Sequence, residues 1–197
     1  MKHFSMLRSF HTADLFTIAN GCCGIVAVFR AMHFLATGDA TSIYLAAGLV
    51  PLAIVFDVLD GRIARWRHRA SPLGRELDSL ADLISFGVAP AAIAYAIGLS
   101  TRLDQLVLVY FVLCGLSRLA RYNITADALA GAEGKVRYFE GTPIPTSVIP
   151  LALTLLAFHR EQLLAVVVRG VSFHLTVALF AISGSLMISK TLHVAKP

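Results

Sequence analysis

The sequence predicts an all-α fold: an integral membrane bundle of six transmembrane helices, built as one domain over residues 1–197. Three observations lead there. Hydrophobic residues make up 57% of the chain and charged residues only 15%, against about 25% charged in soluble domains. Mean hydropathy is +0.73. Six stretches approach the roughly 20 apolar residues that a helix needs to cross a bilayer.

Those stretches are 14–36, 42–65, 74–99, 103–122, 143–159 and 171–190. Gly38-Asp39, Ser71-Pro72 and Ser100-Thr101 punctuate three of the connections. The connection 123–142 is longer, polar and glycine-containing. Leu7 to Phe10 are the candidate start of a short interfacial helix. The N-terminus, MKHFSMLRSFHTADLF, lacks a compact apolar core followed by a small-residue cleavage site, so no cleavable signal is expected. Cys22, Cys23 and Cys114 lie in apolar runs without metal spacing and read as small buried hydrophobes. The seven histidines are scattered and are assigned no role. No internal repeat of the transporter kind is visible.

Six helices place both termini on one side. Lys2, Arg8, Arg62, Arg65, Arg67, Arg69, Arg75, Arg118, Arg121, Lys135, Arg137, Lys190 and Lys196 then share one membrane face. Arg102, Arg160 and Arg169 fall at the other, and Arg30 lies inside the first helix. Such an excess marks the cytoplasmic side, so both termini and the connections after the second and fourth helices are expected there. In so apolar a chain the net charge of +5 reads as a face toward anionic lipid headgroups, not as a nucleic-acid surface.

The informative segment is DVLDGRIARWRHRASPLGRELDSLAD, Asp57 to Asp82. Asp57, Asp60, Gly61, Ala64 and Arg65 follow helical offsets that share one face. Gly74, Asp78 and Asp82 follow offsets of four, again one face. The short turn at Ser71-Pro72 makes the two helices antiparallel neighbours, so their stripes are expected to face each other across one cleft. Two unit charges 4 Å apart repel by about 4 kcal/mol at an effective dielectric of 20. Either the acids hold protons or a cation joins them. Oxygen-only ligands favour hard ions such as Mg²⁺, Mn²⁺ or Ca²⁺. Four carboxylates exceed the need of one Mg²⁺ and point to a two-metal site able to clamp a phosphoryl group. Gly61, Ala64 and Gly74 leave room for a flat group such as a base and ribose. Solvation, or pairing with Arg62 and Arg65, would explain any one of these acids alone. It explains four on two facing stripes poorly, because intramembrane acids are costly and usually functional.

The pattern Asp57-x2-Asp60-Gly61-x2-Ala64-Arg65-x8-Gly74-x3-Asp78-x3-Asp82 resembles the complete signature of the CDP-alcohol phosphotransferase family, matching at every fixed position. Its members transfer a substituted phosphate from a CDP-linked donor to an alcohol and release CMP. The resemblance implies a six-helix core, usually a homodimer, with two divalent metals, Mg²⁺ or Mn²⁺, held by Asp57, Asp60, Asp78 and Asp82. It implies that Asp82 is also the general base. It puts Asp60, Gly61, Ala64, Arg65, Gly74 and Asp78 at nucleotide-contacting positions.

Four flanking motifs, LFTIANGCCG (15–24), LDSLADLISFGVAPA (77–91), SRLARYN (117–123) and YFEGTPIP (138–145), look like those of small phosphatidylserine synthases and of related archaeal enzymes acting on archaeol lipids. One departure is Thr142, where a more apolar residue is expected between Gly141 and Pro143. The reaction implied is CDP-diacylglycerol plus L-serine giving phosphatidylserine and CMP, at a cytoplasm-facing cleft with the lipid tails left in the bilayer. Arg118 and Arg121, three residues apart, are candidates for the serine carboxylate or phosphate, against simple snorkelling toward headgroups. Lys135 and Arg137 are weaker candidates. Ser79 and Ser85 could contact the acceptor, but small hydroxyls commonly pack between membrane helices, and they are not counted among the site residues. Two rival readings stay open. One is a sister enzyme using glycerol 3-phosphate, inositol phosphate or an archaeol-lipid donor. The other is a cation transporter, which an arginine beside the ion path disfavours.

Overall fold

The structure, a computed structural model, describes residues 12–67, 72–130, 138–168, 170–189 and 193–195. Leu7 to Phe10, Lys135 and Arg137 lie outside the described residues.

The chain is mostly helical. α1 spans Thr12–Thr37 and α2 spans Ala40–Arg67. Gly38, with φ +73°, turns the chain between them. Asp39 starts α2: its carboxylate accepts from Thr41 N at 3.0 Å and from Ser42 Oγ at 3.0 Å. Those bonds, the backbone one first, hold its carboxyl below the usual range.

The third apolar stretch is one rod in three pieces: α3 (Pro72–Asp82), a π-helical segment (Leu83–Val88) and α4 (Ala89–Ala96). Nothing in the hydropathy pattern announces the π segment, and 74–99 was expected as a single α-helix. α5 runs over Arg102–Ala130, past the expected end at 122, where Ala126, Ala128, Leu129 and Ala130 are good helix formers and no Gly or Pro stops it. A 3₁₀ turn (Ile144–Ser147) leads into α6 (Val148–His159), and α7 spans Val177–Ile188.

Among the described residues, four helices are long and apolar enough to cross a membrane: Asp14–Thr37, Ala40–Ile63, Leu73–Ala96 and Arg102–Ile124. Ile144–His159 and Val177–Ile188 are shorter apolar helices. The outer faces match a lipid surround. Phe29 is 62% exposed, Leu106 68% and Ile182 57%, exposures a water-soluble surface of this density would not sustain. The chain is an integral membrane protein.

Four short strands among the described residues qualify the all-α expectation. β2 (Ala165–Val168) and β3 (Val171–His174) form an antiparallel hairpin. The sixth apolar stretch, expected from 171, therefore becomes helical only at Val177. Val166, Val167, Val168 and Val171 favour a pleated strand, and Gly170, at φ +82°, makes the turn. β1 (Tyr138–Glu140) pairs with β4 (His193–Ala195). Gly141 follows β1 at φ +75°, where an added Cβ would collide with the Met187 carbonyl oxygen.

α1 is the organising element. It packs along α2 and also against α3, the π segment and α4, while α5 packs on α7. The expectation that the second and third stretches are simple antiparallel neighbours is therefore modified. α2 meets the third rod mainly through the π segment and α4, and α1 carries the packing at the level of α3. α1 reaches this closely because it offers glycines: a Cβ on Gly24 would lie 2.6 Å from Ser85 Oγ and 2.8 Å from Ser85 Cα. The core runs through Ala27, Ala31, Ile43, Ala46, Phe86, Ile93, Phe111 and Phe180, all buried. Phe111 and Phe180 stack edge-to-face at 5.2 Å, joining α5 to α7.

Candidate active site

At the end of the bundle formed by the start of α1, the end of α2 and α3, acidic side chains converge. Asp57 and Asp60 stand one turn apart on α2, and Asp78 and Asp82 one turn apart on α3. Carboxylate oxygens of Asp57, Asp60 and Asp78 lie within 4.8 Å of one another. At that spacing three ionised carboxylates repel by about 3–4 kcal/mol per pair at an effective dielectric of 20. Asp60 is 6% exposed, so water screens it little.

These residues fit a hard divalent cation. The donor set is all oxygen, the reach is short, and Asp78 Oδ1 is buried without a hydrogen-bond partner. Asp82 is not in that three-residue group. It is 8% exposed, and Asn20 Nδ2 donates to its Oδ1 at 2.9 Å. The structure thus separates three acids that share one space from a fourth held by an amide.

α1 holds both acidic helices. Thr17 Oγ1 donates to Asp60 Oδ2 at 2.7 Å, and Asn20, three residues on, reaches Asp82. Asp14, in the first turn of α1 and 6% exposed, is close enough to Asp60 to act on it electrostatically. Sequence reasoning missed these three. The available signal was a run of polar residues on one face of an otherwise apolar helix.

A second clamp fixes α3 to α5. Ser79 Oγ donates to Asn123 Oδ1 at 3.2 Å, and Asn123 Nδ2 donates to Glu76 Oε2 at 3.1 Å. Ser79 and Ser85 both make local hydrogen bonds between helices. Five residues before Asn123, Arg118 lies half-buried within electrostatic reach of Asp82 and Tyr122, its Nε buried without a hydrogen-bond partner among the described residues. Arg121 is half-buried on the same stretch of α5.

Of the nucleotide-contacting candidates, Gly61 faces open space: an added Cβ there would meet nothing within 4 Å. Gly74 is half-buried on α3. Ala64 and Arg65 fall in the last turns of α2, but their side chains lie outside the described set. Lys135 and Arg137 are outside the described residues altogether.

Residues 10–183 match the CDP-alcohol phosphatidyltransferase family. The chain belongs to that family. It is 43% identical to a CDP-diacylglycerol–serine O-phosphatidyltransferase of Saccharomyces cerevisiae, over 99% of this chain and 74% of the relative. A Bacillus subtilis enzyme of the same name is 33% identical over 81% of this chain and 82% of its own length. An archaetidylserine synthase of Methanothermobacter thermautotrophicus is 33% identical over 81% of this chain and 64% of its own. The chain is therefore a membrane-bound phosphotransferase.

Proposed function

We propose that this enzyme transfers the phosphatidyl group from CDP-diacylglycerol to L-serine, giving phosphatidylserine and CMP. The observation that carries the reading is the convergence of Asp57, Asp60 and Asp78 within 4.8 Å, with Asp82 and Arg118 beside them. Serine as the acceptor alcohol rests on its presence in the names of the yeast, bacterial and archaeal relatives.

Asp57, Asp60, Asp78 and Asp82 are the proposed ligands of two Mg²⁺ or Mn²⁺ ions. Bound there, the ions would neutralise the pyrophosphate and the charge appearing on the departing CMP. Asp60, Gly61, Ala64, Arg65, Gly74 and Asp78 contact the cytidine nucleotide. Gly61 suits that task because nothing crowds it. Asp82 receives the serine hydroxyl proton as the hydroxyl oxygen forms its bond to the lipid-linked phosphorus and the phosphorus–oxygen bond to CMP breaks. Arg118, with Arg121, holds the serine carboxylate or a phosphate oxygen. Lys135 and Arg137 are secondary candidates for the same anions.

The reading includes six spans, with α6 and α7 completing the bundle, a homodimer, and the acidic end and both termini in the cytoplasm. The test is CMP release from CDP-diacylglycerol by the purified chain with serine, glycerol 3-phosphate or inositol phosphate added in turn, before and after chelation. Release with serine alone, lost with chelator and regained with Mg²⁺ or Mn²⁺, is the expected result. A clear preference for a phosphorylated acceptor would replace serine, and full activity in metal-free buffer would remove the metal site.

A further inference from the structure

Asn20 lies outside the acidic signature, and the chemistry above gives it no task. It is fully buried in an apolar helix. Its Nδ2 donates to Asp82 Oδ1 at 2.9 Å, and its backbone carbonyl accepts from Ser85 Oγ at 2.8 Å. An ionised carboxylate only accepts, so the amide nitrogen is the end that faces Asp82. Asn20 Oδ1 is then left buried without a partner. A residue present for packing alone would be apolar. A buried amide with one end unsatisfied points to what its other end holds.

The backbone around this bond is also specialised. The π segment begins at Leu83, directly after Asp82, and such segments gather at functional sites. Ser85, inside it, is latched to the Asn20 carbonyl, and Gly24 lets α1 approach it. Asp82 is thus gripped twice from α1, through its side chain and through the turn that follows it.

We propose that Asn20 is a positioning residue for Asp82: its amide holds Oδ1 and so fixes the rotation of the carboxylate that receives the proton of the acceptor alcohol. Thr17 makes the matching bond to Asp60 one turn earlier, but Asp60 shares its space with two other acids and Asp82 does not. Asn20 therefore acts on turnover more than on cation binding, which the three clustered acids sustain. The inference rests on the role given to Asp82 above.

Asn20→Ala removes the donor and keeps the backbone bond to Ser85. Orienting partners of site residues are commonly worth about 10- to 100-fold. In the purified full-length protein, kcat with serine should fall by about that factor. The KM for CDP-diacylglycerol, and Mn²⁺ affinity measured by electron paramagnetic resonance without substrate, should stay within about threefold. Adding Asn20→Ala to Asp82→Asn should slow that variant by less than about twofold, since the residue being positioned is already disabled. Asn20→Leu, nearly isosteric and lacking the donor, takes the same assays if Asn20→Ala does not accumulate. Near-normal kcat, additive losses in the double variant, or Mn²⁺ affinity falling in step with kcat would overturn the proposal. So would failure of both single variants to fold, which would make the role structural. Wild-type protein that releases no CMP with any acceptor alcohol would overturn the functional reading as well, whereas wild-type turnover untouched by Asn20→Ala would overturn this inference alone.

Discussion

His174 donates twice to Asp104, from its backbone N–H at 2.9 Å and from ring Nδ1 at 2.7 Å. Asp104 is fully buried in the first turn of α5, where Thr101 N also donates to it at 3.1 Å. The bond ties the β2–β3 hairpin to the end of the bundle opposite the acidic cluster.

That placement separates stability from chemistry. His174→Ala leaves a buried carboxylate short of one charge-assisted partner, a loss of about 1–3 kcal/mol. For a chain of this size thermal unfolding in detergent should shift down by about 2–10 °C. The kcat of the surviving enzyme should stay within about twofold of wild type. A tenfold loss of kcat at unchanged melting temperature would show that this end of the bundle reports to the acids.

The acids themselves should divide. Asp78→Asn removes a charge from the three-carboxylate group, so turnover and Mn²⁺ affinity should fall together and recover in part as the metal is raised. Asp82→Asn should lose turnover by about 10²–10⁴-fold, a range typical of general-base catalysis, and excess metal should not restore it. Kinetics across a metal titration, with donor binding followed by thermal shift, measure both. Recovery of Asp82→Asn at high Mg²⁺ would reduce that residue to a ligand.

Topology is open to direct labelling. With Cys22, Cys23 and Cys114 replaced, a cysteine at Lys135 should react with an impermeant reagent from the cytoplasmic side, and one at Arg160 from the opposite side. The reverse pattern would put the acidic end on the wrong face for cytosolic serine.

Thr142 stands where an apolar residue was expected, and its Oγ1 is buried without a hydrogen-bond partner. Thr142→Val keeps the shape and deletes the unsatisfied hydroxyl. The melting temperature should rise, by about 1–3 kcal/mol of stability, with activity unchanged. A fall would mean that the hydroxyl is bonded in the membrane-embedded protein.

Composition and spacing alone established the solvent, the helical class and the four aspartates. A deficit of charge reads lipid directly, and carboxylates at offsets of three and four must share a helix face wherever that helix lies. Offsets within one helix do not say how two helices meet. Only the tertiary structure decided that Asp57, Asp60 and Asp78 form one close group while Asp82 accepts a hydrogen bond from Asn20, because side chains on separate rods meet only through the packing of those rods. It also decided that α1 bridges the two acidic helices. That packing depends on the shape of Gly24 against Ser85, which no hydropathy pattern encodes. The π segment and the β2–β3 hairpin were hidden for a related reason. Apolar periodicity cannot separate a π turn from an α turn, and a short valine-rich run reads alike as strand or helix until Gly170 turns the chain and His174 finds Asp104.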